Sequence, residues 1–87
     1  MNIVFSDKFI KSTKVLTPKL QVKLDKLIGL LAKDTYFPLL HTKELTGGMT
    51  GFWSFRITRE WRVLFQFLST DTIQILRVGH RKDIYRS

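Results

Sequence analysis

The sequence predicts an α+β domain in which an N-terminal strand and two helices pack on one face of a twisted antiparallel sheet. Three observations carry this. Residues 51–85, GFWSFRITREWRVLFQFLSTDTIQILRVGHRKDIY, place aromatic and β-branched residues in period-two runs separated by short polar segments. Leu20, Leu24, Leu27, Ile28 and Leu31 recur at helical spacing. Ser6-Asp7 and Thr17-Pro18 are two helix-start signals, a capping hydroxyl followed by a first-turn acid or by a proline at the first helical position.

In chain order, residues 2–5 are short and apolar and read as an edge strand. A short helix follows, with Phe9, Ile10, Thr13 and Leu16 on one side. The second helix buries its leucine stripe, and Lys19, Lys23, Lys26 and Lys33 form a second stripe beside it. That lysine row is either a solvated face or a docking surface for acidic protein or nucleic acid. Val22 and Gly29 lie nearly opposite the leucines, an apolar spot that a partner could cover. Residues 34–40 form a turn and an apolar strap, since Pro38 stops a continuing helix. Residues 41–48 read as a loop flexing at Gly47-Gly48, without the pattern of a phosphate loop.

The register of the remaining strands follows from side-chain chemistry. A two-residue loop at Arg59-Glu60 would mix charge and hydrocarbon on each face. A three-residue loop at Thr58-Arg59-Glu60 sets Ile57 against Trp61, Phe55 against Val63 and Trp53 against Phe65, leaving one face wholly apolar. The other face then opposes Arg56 and Arg62, a pairing a sheet normally avoids unless an anion joins it. A similar loop at Ser69-Thr70-Asp71 is expected to put Ile73 and Ile75 on the apolar face. It puts Leu64, Leu76, Val78 and His80 on the face of Arg62, which is left open. Arg56, Arg62 and His80 are therefore expected at one end of the uncovered side.

Eighty-seven residues, 44% of them hydrophobic, make one domain spanning 1–87. Without cysteine there is no disulfide framework or thiolate metal site, and with only two distant histidines neither a metal centre nor a cofactor is expected. No segment resembles a signal peptide or a membrane span, so a cytoplasmic location without membrane association is expected. The net charge of +8 calls for a polyanion or an acidic protein as partner. All the arginines lie in the second half and all the lysines but Lys82 in the first, which makes the sheet the anion-handling half.

The tail, V-G-H-R-K-D-I-Y-R, is either a polar extension or part of a site. Convergence favours the site: Arg56, Arg62, His80 and Arg81 meet at one sheet end, with Tyr85 close by and Lys43 in the loop that leads into the hairpin. The set lacks the paired carboxylates or activated nucleophile of glycosidic and acyl chemistry. It suits cleavage of a phosphodiester by its own 2′-hydroxyl, with arginines as clamps and His80 moving protons. Tyr85 would stack on a base or donate a proton. Lys43, Arg59, Lys82 and Arg86 would hold flanking RNA, while Trp53, Trp61 and His41 read as structural.

The pieces K-E-L-T-G (43–47), W-S-F-R-I (53–57), W-R-V-L-F-Q-F (61–67) and I-L-R-V-G-H-R-K-D-I-Y-R (75–86) resemble the RelE/ParE superfamily of bacterial toxins. The resemblance covers most of the chain and is most specific in its second half. It implies a RelE-like fold and, in the RelE branch, a ribosome-dependent endoribonuclease that cuts mRNA and is held in a hetero-oligomer by an acidic cognate antitoxin. By position Arg62, Arg81 and Tyr85 match the family's strand arginine, tail arginine and terminal tyrosine. Arg56 stands where the family usually has a strand lysine, and Ser54 replaces another. His80 resembles the histidine of the H-R-x-D-x-Y-R ending. The alternative within the same fold is a ParE-like inhibitor of DNA gyrase that acts by protein binding.

Overall fold

The computed structural model describes residues 1–85. Strand β1 (Asn2–Phe5) leads into helix α1 (Asp7–Ser12), a 3₁₀ turn (Thr13–Val15) and helix α2 (Pro18–Lys33). After a second 3₁₀ turn (Pro38–Leu40) come β2 (Lys43–Glu44), a third turn (Gly47–Met49), β3 (Trp53–Arg56), β4 (Trp61–Ser69) and β5 (Thr72–His80).

Both helices begin where their caps were expected. The Ser6 hydroxyl accepts from the Phe9 amide at 3.0 Å and that of Thr17 from the Leu20 amide at 3.3 Å, each satisfying an amide that helix geometry leaves without a carbonyl. Ser6 also donates to the Leu76 carbonyl at 2.6 Å, and Ser12 accepts from the Val78 amide at 3.0 Å. These hydroxyls take over the edge of β5 beyond the point where β1 ends.

The sheet order is β1-β5-β4-β3-β2. Strands β3 to β5 are antiparallel as expected, but β1 joins β5 in parallel, from Asn2 opposite Thr72 to Phe5 opposite Ile75. The slanted bonds of a parallel pair bracket it, Asn2 to the Asp71 carbonyl at 2.7 Å and Ser6 to that of Ile75 at 3.0 Å. Strand β2 adds a second correction: part of the expected loop is ordered by pairing Lys43 with Ser54 and Glu44 with Trp53. Two residues are too few for a periodic pattern to reveal.

Phe9, Leu16, Leu24, Leu27, Leu31 and Leu40 from the helical layer pack on Phe55, Ile57, Val63, Phe65, Ile73, Ile75 and Val78 from the sheet. Phe55, Phe65, Ile73 and Ile75 are 0% exposed, and each contributes roughly 1.5–3 kcal/mol of apolar burial. Strands β3 and β4 take the register that side-chain chemistry required, with Trp53 opposite Phe65, Phe55 opposite Val63 and Arg56 opposite Arg62.

Strand β5 departs from expectation halfway along. Phe65 pairs with Ile75, yet its neighbour Leu64 pairs with Arg77, so Leu76 is an extra residue, a β-bulge. The bulge reverses the inward and outward alternation of everything after it. Val78 faces Val63 in the core and His80 faces Trp61, both on the helix-covered side, while Arg77 and Gly79 take the side of Leu64 and Arg62. The expected placement of Val78 and His80 beside Arg62 is thereby overturned.

The expectation of an open face also changes. Leu45, Leu64 and Ile84 are buried in a second cluster there, supported by Met49, Phe52, Leu76 and Tyr85. The C-terminal tail and the segment before β3 fold over part of the sheet's second side. Among the described residues no helix is long and apolar enough to cross a membrane.

Candidate functional site: a cationic sheet face capped by the tail

Strand pairing fixes two rows of side chains on the face away from the helices. One row runs Lys43, Ser54, Leu64, Arg77, and the next runs Arg56, Arg62, Gly79. Opposed residues of antiparallel strands have Cβ atoms about 4.5–5.5 Å apart, so the bases of the Arg56 and Arg62 side chains stand side by side. Arg62 donates from Nη2 to the Arg59 carbonyl at 3.4 Å, which ties it to the turn beside it. Its Nε is buried without a hydrogen-bond partner.

The tail is folded onto the first row. The His80 carbonyl accepts from the amides of Asp83 at 2.8 Å and Ile84 at 2.9 Å, closing a tight turn after β5. Ile84 is buried, and Arg77 donates to its carbonyl. Gly79 lies beneath Ile84, where a Cβ would meet Ile84 Cδ1 at 3.4 Å, an ordinary contact. Tyr85 then donates its hydroxyl to Ser54 at 3.2 Å, and Ser54 is only 2% exposed. The ring stays half-buried and, with Lys43, Leu45, Thr46 and Met49, lines a pocket of about 250 Å³.

His80 and Arg81 belong to a different group. The imidazole meets the Trp61 ring edge-on at 5.8 Å between centroids. Its Nδ1 accepts from the Lys82 amide at 3.2 Å, so the ring proton sits on Nε2, which lies 3.2 Å from Glu60 Oε2. The same oxygen is 3.5 Å from Arg81 Nε, and the Arg81 amide donates to the Glu60 carbonyl at 2.7 Å. Arg59 and Lys82 are exposed around this turn, and Arg86 lies outside the described residues. Among the described residues, no three or more His, Asp or Glu side chains gather as metal ligands would.

The structure thus brings Arg56, Arg62, Lys43 and Tyr85 to one side of the sheet and sets His80, with Arg81, against Glu60 at its end. Sequence reasoning missed Arg77, Ser54 and Glu60. The signal for Arg77 was the adjacent apolar pair Ile75-Leu76, which marks a change of phase. For Glu60 it was the absence of any other acid between Glu44 and Asp71. Nothing in the sequence indicated the burial of Ser54 beneath a tail tyrosine.

An array of arginines on one sheet face, with an aromatic folded beside it, is suited to holding a phosphodiester and an adjacent base. Comparison with known proteins gives the family of the chain. The family model described as "ParE toxin of type II toxin-antitoxin system, parDE" matches residues 3–85. No curated protein sequence matches. The chain is similar to the solved structure of YafQ from E. coli strain BL21(DE3), at 19% identity, TM-score 0.80 and 97% coverage of both chains. It is also similar to the YoeB/ParE toxin from Agrobacterium tumefaciens, at 20% identity and TM-score 0.77 over 92% of this chain and 98% of that one. The RelB-RelE antitoxin-toxin complex from Methanococcus jannaschii matches at 24% identity and TM-score 0.74, covering 94% of each chain. At these identities the likeness establishes a shared RelE-like fold. With the family match spanning nearly the whole chain, it follows that the protein belongs to the ParE toxin family of type II toxin-antitoxin systems, within the RelE/ParE superfamily.

Proposed function

We propose that this toxin is an endoribonuclease that cuts messenger RNA on the ribosome and so inhibits translation. The observation that carries the reading is the direct pairing of Arg56 with Arg62. Two like charges held opposite each other destabilise a sheet, and the scissile phosphate of an RNA strand relieves that repulsion. In this reading both guanidiniums stabilise the charge that develops as the 2′-hydroxyl attacks the adjacent phosphorus. The Tyr85 ring, its hydroxyl tied inward to Ser54, supports the neighbouring base. Lys43 is the proton-carrying side chain in the same row, and Arg59, Arg81 and Lys82 serve the flanking backbone at the sheet end. Toeprinting on translating ribosomes tests the proposal. The wild type should cut within the reading frame and Arg56→Ala, Arg62→Ala should not; an uncut message, or an undiminished cut by the double variant, refutes it.

The second reading, a ParE-like gyrase inhibitor, draws on the family match itself. It needs no cationic row and predicts loss of supercoiling with purified gyrase, whereas the nuclease reading predicts none.

The partner that restrains the toxin is proposed to be an acidic cognate antitoxin in the cytoplasm. The solved complexes of RelB with RelE and of DinJ with YafQ are toxin-antitoxin pairs. On this chain two adjacent clefts, both touching Lys23 and Thr58, are lined by apolar Leu20, Val22 and Leu27 and by cationic Lys19, Lys26, Arg56 and Arg59. An amphipathic acidic segment matches that combination, its apolar side meeting the leucines and its carboxylates the lysines. Co-expression with an acidic protein from the same operon should yield a stable hetero-oligomer.

A further inference from the structure

The bulge at Leu76 removes His80 from the cationic face, and the histidine's contacts show what it does instead. Its backbone carbonyl receives two amides of the tail turn, Asp83 at 2.8 Å and Ile84 at 2.9 Å. Its Nδ1 receives a third, that of Lys82, at 3.2 Å. Its Nε2 reaches across to Glu60 Oε2 at 3.2 Å, on the turn between β3 and β4. Each ring nitrogen is therefore occupied within the protein, one as acceptor and one as donor, and the ring edge rests on Trp61. A group arranged in this way has no free nitrogen to offer an incoming 2′-hydroxyl. It does fix where the tail turns back, and four and five residues further the tail delivers Ile84 to the second cluster and Tyr85 to Ser54.

We propose that Glu60 and His80 form a clasp that positions the tail, with His80 acting through Tyr85 and not as an acid or base. Glu60 fixes the tautomer: a carboxylate facing Nε2 keeps the proton there and leaves Nδ1 free to accept the Lys82 amide. The proposal rests on the nuclease reading for its activity arm. Its structural arm stands alone, because the position of the Tyr85 ring is observable without substrate.

The test uses substitutions that keep one hydrogen bond of the clasp, beside others that remove it. Asparagine at position 80 places an amide oxygen near the site of Nδ1 and can still receive the Lys82 amide; glutamine at position 60 can still accept from Nε2. His80→Ala removes both contacts, and Glu60→Ala removes the one to Nε2. NMR of the Tyr85 ring should show a changed environment in both alanine variants and a near-native one in His80→Asn and Glu60→Gln. Cleavage in the toeprint assay should fall roughly 10- to 100-fold in His80→Ala, the scale of a misplaced group, and return to within about threefold of wild type in His80→Asn. A general base would instead lose about 10²- to 10⁴-fold in both variants at position 80. Parallel losses with an unmoved Tyr85 ring overturn the proposal, as does an unmoved ring in all four variants. A wild type that cuts no message while the ring shifts as described leaves the clasp standing and removes the nuclease reading alone.

Discussion

Replacing Arg62 with methionine should make the protein more stable while disabling it. Three contributions set the size of the effect. Arg62 stands directly opposite Arg56, and relieving a like-charge cross-strand pair is worth about 0.2–1 kcal/mol. Its Nε is buried without a hydrogen-bond partner, a penalty of about 1–3 kcal/mol that a thioether of similar length does not carry. Against these stands the loss of one hydrogen bond to the Arg59 carbonyl, at 3.4 Å a long one, worth at most about 0.5–1.5 kcal/mol. The balance favours Arg62→Met by on the order of 1 kcal/mol. For a domain of this size that raises Tm by about 4–8 °C. Thermal unfolding at low salt measures it, and repetition near 1 M salt should shrink the gain, because the screening length falls to about 3 Å. A variant less stable than wild type, or a gain indifferent to salt together with intact cleavage, would refute the view that this row is held for an anion.

Other outcomes follow from the same geometry. Tyr85→Phe should cut nearly as well as wild type, since the ring does the stacking, whereas Tyr85→Ala should lose about 1–3 kcal/mol of RNA affinity in a binding titration. Ser54→Lys should lower Tm, because a lysine at a site 2% exposed displaces the tyrosine above it and overpacking costs about 1–3 kcal/mol. In the β4–β5 turn, hydroxyls of Ser69 and then Thr72 hold the Asp71 carboxyl below its ordinary 3.8. A depressed carboxyl stabilises the fold fully above the unfolded value and ceases to do so as pH falls through the folded one. The stability difference between wild type and Asp71→Asn should therefore be constant above about pH 5 and diminish progressively below about pH 4, as chemical denaturation at each pH would show.

Much of the fold was legible because its cues are local. Ser6 and Thr17 announce helices through chemistry that operates over three residues, and the leucine stripe of α2 needs only its own spacing. The register of β3 and β4 was legible for a different reason: one alternative mixes arginine with hydrocarbon and the other does not. The parallel placement of β1 was not, since so short a strand pairs equally well in either direction and the choice depends on which sheet edge is vacant. The site was half legible. Arg56 and Arg62 precede the bulge and stand where alternation puts them. His80 follows it, and alternation read straight through Ile75-Leu76 assigns the wrong side. The cover over the second face rests on Ile84 and Tyr85, in a tail too short to show a period.

The supernumerary residue in the last strand bears on how relatives of this toxin should be matched. Counting forward from Thr72 and counting back from Tyr85 give answers that differ by one, and only the latter keeps Gly79 beneath Ile84 and Arg77 on the side of Leu64. A gap in any comparison belongs at Leu76. Its deletion should leave the C-terminal end in its present orientation, whereas adding a residue between Arg77 and Gly79 should turn the imidazole outward and cast the tyrosine off its serine.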